Sequence, residues 1–160
     1  MNIADITQDH YDQILRLNTQ FVHWLSPLNQ DDLEALLGVA TYAKQINDGH
    51  AVLIGYRHDV EYDHKNLRWL RARFNKFHYI DRVIVDDRAH GQGLARLLYD
   101  DFARVAHEEN LKRVVCEVNT KPDNPGSHAF HLKMGFKGIG DKDYPDFNAS
   151  VRYYEKPLTV

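Results

Sequence analysis

The sequence has one cysteine, Cys116, and no stretch near the roughly 18–20 consecutive apolar residues that a bilayer span requires. A lone cysteine excludes an intrachain disulfide and fits a reducing compartment. The start, Met1-Asn2-Ile3-Ala4-Asp5, has neither the basic opening nor the apolar run of a signal peptide. These absences predict a cytoplasmic protein with no membrane partner. Basic runs are missing too: 20 Lys and Arg are scattered through 160 residues, and the formal net charge is −3 at pH 7. With no basic stripe, no nucleic-acid partner is expected. Ten histidines are present, but no His-Glu-x-x-His run or Cys/His cluster, so no metal site is expected.

What is present is ordinary for a globular chain: 43% hydrophobic and 27% charged residues, enough for one domain over 1–160. A short strand near Asn2–Ile6 precedes a helix capped at Thr7, whose apolar residues Ile14, Leu15, Leu17, Phe21, Val22 and Leu25 run to Ser26-Pro27. A second helix is expected from Asp31 to about Val39. Ala40–Gln45 and His50–Tyr56 read as a hairpin about Asn47-Asp48-Gly49. Arg57–Lys76 has no clean period and reads as a long loop, with one helical turn around Leu67–Leu70. Phe77–Val85 is the most strand-like segment. After it comes a helix expected to bury Leu94, Leu97, Leu98, Phe102, Val105 and Ala106, then a strand over Arg113–Val118 and a short helix over Ser127–Met134. A loop marked by Gly138 and Gly140 precedes a last strand, Val151–Glu155. The order predicts an α/β (α+β) domain around a mixed sheet.

The unit of strand Phe77–Val85, turn His90-Gly91-Gln92-Gly93-Leu94-Ala95 and following helix carries the chemistry. A helix start offers unpaired N–H groups and partial positive charge, which suit a phosphate. Glycine lets the backbone approach a ligand closely. A Walker loop fails, because Gly93 is followed by Leu94-Ala95 instead of Lys-Ser/Thr. A dinucleotide fingerprint would need glycine at position 96, where Arg96 stands, although Glu117 on a later strand superficially fits it. An ordinary helix start remains open for the two glycines alone.

The wider pattern adds to this. Val83-Ile84-Val85 and His90-Gly91-Gln92-Gly93-Leu94-Ala95-Arg96-Leu97-Leu98 resemble the acyl-CoA signature of the GNAT superfamily of N-acetyltransferases. Glu117-Val118-Asn119, and Asn124 with Ser127, Phe130, His131, Gly135 and Phe136, look like that superfamily's second stretch. The resemblance implies a mostly antiparallel central sheet of about six to seven strands, flanked by about four helices. It also implies acetyl-CoA as cofactor, held by Val83, Ile84, Val85, Arg88, His90, Gly91, Gln92, Gly93, Leu94, Ala95, Asn119, Asn124, Ser127 and His131. The family's turn begins with Arg or Gln. Here His90 stands in that place, with Arg88-x-x-Gly91-x-Gly93 as an alternative frame. The frame through His90 is preferred, since it puts Leu98 at the family's buried helix position. His131 occupies the place, seven residues after Asn124, where the family has a tyrosine.

Attack of an amine on a thioester requires a neutral amine, a polarised carbonyl and a protonated leaving thiol. An alkyl ammonium with a pKa of about 10.4 needs a base at neutral pH. Asp81 is the first candidate, against the alternative of a structural pair with Arg82, and Glu117 is the second. His131 is the candidate acid for the thiol, since an imidazolium is a stronger acid than a phenol. Backbone groups of Val83, Ile84 and Val85 would pair with the pantetheine arm, although the same residues fit a plain core strand. Asn18, Asn66, Trp69 and Tyr79 are candidates for contact with a small-molecule or protein amine acceptor, Trp24 could line the same pocket, and a homodimer is the default assembly. Cys116 reads as a small core residue. Two other readings stay open: a non-catalytic acyl-CoA-binding module, and a nucleotide-binding protein unrelated to CoA.

Overall fold

The most strand-like segment, Phe77–Val85, lies in the middle of the chain, and the sheet forms on both sides of it. The structure, a computed structural model, describes residues 2–159. In chain order the elements are β1 (Ile3–Asp5), α1 (Tyr11–Gln20), α2 (Gln30–Val39), β2 (Tyr42–Ile46), β3 (Ala51–Arg57), α3 (Lys65–Arg71), β4 (Phe77–Val85), α4 (Leu94–Glu108), β5 (Arg113–Lys121), α5 (Pro125–Lys133), β6 (Lys137–Tyr144) and β7 (Ala149–Pro157). Single 3₁₀ turns lie at Gln8–His10, Asp87–Ala89 and Pro145–Phe147. The seven strands are ordered β1-β2-β3-β4-β5-β7-β6. Every pairing is antiparallel except β4 with β5.

The central strands are apolar on both faces because both faces are covered. On one face α4 and α5 bury Leu98, Phe102 and Phe136 against Leu53, Val114 and Tyr154. On the other, α1, α2 and α3 bury Ile14, Leu17, Leu33, Leu36, Leu67 and Leu70 against Tyr56, Tyr79, Val115 and Tyr153. Local signals start these helices. The Asn29 carboxamide accepts from the Asp32 N–H (2.8 Å) while the Asp32 carboxylate accepts from the Asn29 N–H (3.2 Å), a reciprocal cap on α2. His64 Nδ1 accepts from the Leu67 N–H and caps α3.

Four expectations need correction. The first helix ends at Gln20, and the chain runs on through turns to Ser26, because Asn18 donates to the Ser26 carbonyl (3.0 Å) and draws the chain off the helix axis. The helical turn expected around Leu67–Leu70 is longer: α3 spans Lys65–Arg71 within Arg57–Lys76, held by Arg71, which donates to the carbonyls of His58, Val60 and Tyr62. Leu97 is 38% exposed, on the side of α4 turned away from the sheet. Gly138 and Gly140 lie in the edge strand β6 and not in a loop, since β7 pairs along its whole length.

Two features of β4 open a cleft in the sheet. Its parallel pairing with β5 runs only from Phe77–Arg113 to Tyr79–Val115, after which the two strands part. On the other side its register with β3 shifts, Ile54 facing Arg82 and Gly55 facing Ile80, so that Asp81 is the extra residue. Glycine is required at 55, where a Cβ would come within 2.4 Å of the Tyr79 carbonyl and 2.6 Å of Phe102.

Candidate active site

Where β4 and β5 part, two cavities meet. The larger, about 560 Å³, runs along Val83, Ile84 and Val85 to His90, Gly91, Gly93, Leu94 and Ala95, with α5 opposite. The smaller, about 130 Å³, is lined by Asp81, Cys116, Glu117 and Asn119. Val83, Tyr99, Asn124, Ser127 and His131 line both, together with Trp24 and Leu25 from the segment between α1 and α2.

The turn into α4 is shaped for a ligand. Gly91 and Gly93 have φ of +82° and +73°, conformations that L side chains rarely adopt, and a Cβ at either would meet nothing within 4 Å. Open space there, beside N–H groups at the start of a 15-residue helix, gives a diphosphate room and donors. Not every residue of the turn takes part. Arg88 is turned onto the buried Asp86 carboxylate (2.9 Å), and neither Arg88 nor Gln92 lines the cavity. His90 lines it, but its Nε2 donates to the Val85 carbonyl (2.9 Å). Leu98 is fully buried.

The two carboxylates differ in their surroundings. Both oxygens of Asp81 are engaged, Oδ1 by Arg82 Nε (2.9 Å) and Oδ2 by the Tyr56 hydroxyl (3.0 Å), and Arg82 goes on to donate to Asn18 (2.7 Å). Asp81 thus stands in the ion pair. Glu117 accepts one hydrogen bond, from the Tyr79 hydroxyl. Burial pushes its pKa up to about 7, partly offset by that bond, and nearby Asp81 raises it further.

His131 is buried, 4% exposed. Its Nδ1 lies 2.7 Å from the Ser127 carbonyl, which only accepts, so Nδ1 carries the ring proton. Nε2 then accepts from the Tyr99 hydroxyl at 2.8 Å. Burial pushes the imidazole down to about 4, and the ring is neutral at pH 7. An imidazolium acid is therefore not the resting form, and burial makes it rarer than the ordinary imidazole pKa would. Asn124 Oδ1 caps α5 at Ser127 (3.4 Å), and the Asn119 side chain donates to the Trp24 carbonyl (2.9 Å).

The acetyltransferase (GNAT) family model matches residues 7–136. The chain belongs to the GNAT acetyltransferase family. Comparison of its sequence with the curated proteins finds no match. Solved structures share the GNAT fold at low identity. The ribosomal-protein-S18-alanine N-acetyltransferase of Escherichia coli superimposes with a TM-score of 0.71 at 13% identity, over 99% of this chain and 94% of that one. Ard1 from Thermoplasma volcanium gives 0.75 at 16% identity, over 99% and 98%. The ribosomal-protein-alanine N-acetyltransferase of Brucella melitensis gives 0.71 at 14% identity, over 99% and 100%.

Within this GNAT fold the four residues expected to touch acceptor are packed away from both cavities. Asn18 bridges Arg82 and Ser26, and Asn66 accepts from the Tyr153 hydroxyl (2.7 Å). Trp69 stacks on Tyr153 with ring centroids 4.0 Å apart, and Tyr79 is bound to Glu117. Sequence reasoning missed Tyr99 as a cavity residue, whereas Trp24, a candidate for the acceptor pocket, lines both cavities. Tyr99 had a signal, since it lies at helical spacing with Phe102 and Ala106 on the buried face of α4. Trp24 is held in place by contacts with Asn119 and Asp123 far along the chain. No helix among the described residues is long and apolar enough to cross a membrane.

Proposed function

We propose that this GNAT protein transfers an acetyl group from acetyl-CoA to the primary amine of a small molecule or protein, by direct attack with both substrates bound. The observation that carries the proposal is Glu117, set in the gap between β4 and β5 where the two cavities meet. When bound, acetyl-CoA supplies the activated carbonyl: the amine nitrogen bonds its carbon, the carbon–sulfur bond breaks, and the thiol gains one proton while the nitrogen loses one.

The chain's own residues supply the rest. The glycine turn and the first N–H groups of α4 hold the diphosphate. Backbone groups of Val83, Ile84 and Val85, beyond the last β4–β5 pair, are placed to receive the pantetheine arm and polarise the carbonyl. Glu117, with its pKa near 7, takes the amine's proton directly or through a cleft water. Asp81, committed to Arg82 and Tyr56, orients the wall of the gap. The smaller cavity, about 130 Å³ and lined by Asp81 and Glu117, is where the acceptor's amine enters. Much of the reaction is proximity: both reactants are held where the strands part.

The test is a thermal melt with acetyl-CoA, CoA, NAD and ATP in parallel, followed by a panel of amines with thiol release as readout. The panel includes a peptide with N-terminal alanine, because two of the structures sharing the fold are named for alanine acetylation. A ligand at 100 times its Kd adds about 2.7 kcal/mol of stability. Stabilisation by acetyl-CoA and CoA but not by NAD, with thiol release on some amine, is the expected result. No response to either CoA compound refutes the proposal. His131 in the tyrosine's place favours a second reading, a non-catalytic acyl-CoA-binding module, which CoA binding without turnover of any amine would support.

A further inference from the structure

We infer that Tyr99, on α4, supplies the hydroxyl that faces the departing sulfur, and that His131 on α5 is the positioning residue that holds it. The inference rests on the proposed function, because it concerns acetyl-CoA bound in the larger cavity. With Nδ1 donating to the Ser127 carbonyl at 2.7 Å, neutral His131 has no proton on Nε2 and presents only a lone pair. The proton between the two side chains belongs to Tyr99, whose hydroxyl lies 2.8 Å from Nε2. Tyr99 and His131 both line both cavities, so the pair stands at their junction.

The surroundings fix the pair in this state. Tyr99 is 4% exposed and edge-on to Phe130 and Phe136, with ring centroids 5.1 and 5.9 Å away. Burial, and then Cys116 and Glu117 on β5, favour its protonated form. Burial keeps His131 uncharged beside it. A phenol rotor can exchange acceptors by turning about its C–O bond. As the carbon–sulfur bond breaks and charge gathers on sulfur, Tyr99 turns its O–H from the neutral imidazole to the thiolate. A hydrogen bond to a charged acceptor is roughly twice as strong as one between neutral groups, so the exchange favours the transition state. Tyr99 keeps its proton. The amine's proton goes to Glu117, and from there through cleft water to the thiolate, so one proton passes from nitrogen to sulfur and Glu117 returns to its carboxylate.

The test needs no acceptor. Wild type, Tyr99→Phe and the exchange variant Tyr99→Phe/His131→Tyr are saturated with CoA, and the bound thiol is titrated by its thiolate absorbance. Tyr99→Phe should raise the pKa of the bound thiol by about one unit, a tenfold loss of thiolate at a given pH. The exchange variant, which returns a phenol from α5, should bring it back. An unchanged titration in Tyr99→Phe overturns the inference. So does a shift that persists in a folded, CoA-binding exchange variant, since that marks a displaced cleft and not a lost hydroxyl. A wild-type protein whose melting temperature ignores CoA refutes the proposed function instead, and the two failures are told apart by that first measurement.

Discussion

The Tyr79 hydroxyl donates a hydrogen bond to the Glu117 carboxylate across the point where β4 and β5 part. Tyr79 belongs to the last parallel pair, with Val115, and Glu117 lies just beyond it on β5. The bond therefore ties the closed end of the sheet to the open gap. It also opposes what burial does to Glu117, whose pKa stands near 7 with the bond in place.

Catalysis should follow the ionisation of Glu117. The carboxylate is the active form, so the rate should rise with pH through about 7 and level off above it. Glu117→Gln should lower kcat about 100-fold or more and abolish that acid limb. Tyr79→Phe removes a bond that lowers the carboxyl's pKa, so it should move the limb to higher pH while leaving activity in the alkaline range. A pH–rate profile with any amine turned over checks all three. An unchanged limb in Glu117→Gln would assign the base elsewhere.

The same group sets a stability trend of opposite sense. The folded protein holds Glu117 protonated up to about pH 7, whereas an unfolded glutamate ionises near 4.5. Between those values the folded state binds more protons, so stability falls as pH rises, and the cost is complete above 7. Glutamine carries no such charge. Glu117→Gln should thus melt higher than wild type at pH 8 by more than at pH 5, a gain in stability from loss of a functional group. Melting curves at the two pH values decide it.

The glycine turn makes a separable prediction. Neither Gly91 nor Gly93 is crowded, so a side chain there meets strain and the cavity, not the core. Alanine at either position should cost about 1–2 kcal/mol for its left-handed backbone. Valine at both should abolish stabilisation by CoA in a protein that still melts cooperatively. Retained CoA binding would move the diphosphate site off this turn.

How much of the fold and site was legible in the sequence varied with the physics of each segment. Phe77–Val85 was bounded correctly because the segment is rich in β-branched and aromatic residues and lies between Lys76, at φ +50°, and the Asp86 cap. The start of α4 was legible because glycine spacing reports backbone conformation directly. Edge strand β6 was hidden: its side chains are largely exposed, and Gly140 serves to admit Trp69, which a Cβ would approach to 2.8 Å. Of helix α3 only the turn around Leu67 and Leu70, its two buried residues, was legible, because a histidine caps it. The polar side chains of the site were the least legible. Whether Asp81 pairs with Arg82 or which proton His131 carries depends on partners from other elements.

The segment between α1 and α2 crosses the cleft, and its tethers should govern cofactor entry. Trp24 is held at both ends of its residue, its indole N–H donating to the Asp123 carbonyl (3.2 Å) and its carbonyl accepting from the Asn119 side chain (2.9 Å). His128 supports the far anchor, its Nε2 donating to the Asn119 carbonyl (2.9 Å) while Nδ1 accepts from the Tyr154 hydroxyl (2.6 Å). Asn119→Ala cuts one tether and leaves the catalytic groups in place. A single hydrogen bond of this kind is worth about 0.5–1.5 kcal/mol, so the segment should open roughly two- to tenfold more often. Hydrogen exchange should quicken by that factor across residues 21–26, and the KM for acetyl-CoA should rise with kcat nearly unchanged. Exchange confined to its wild-type rate would mean that packing of Phe21, Trp24 and Leu25 over the cavity, and not the tether, holds the segment down.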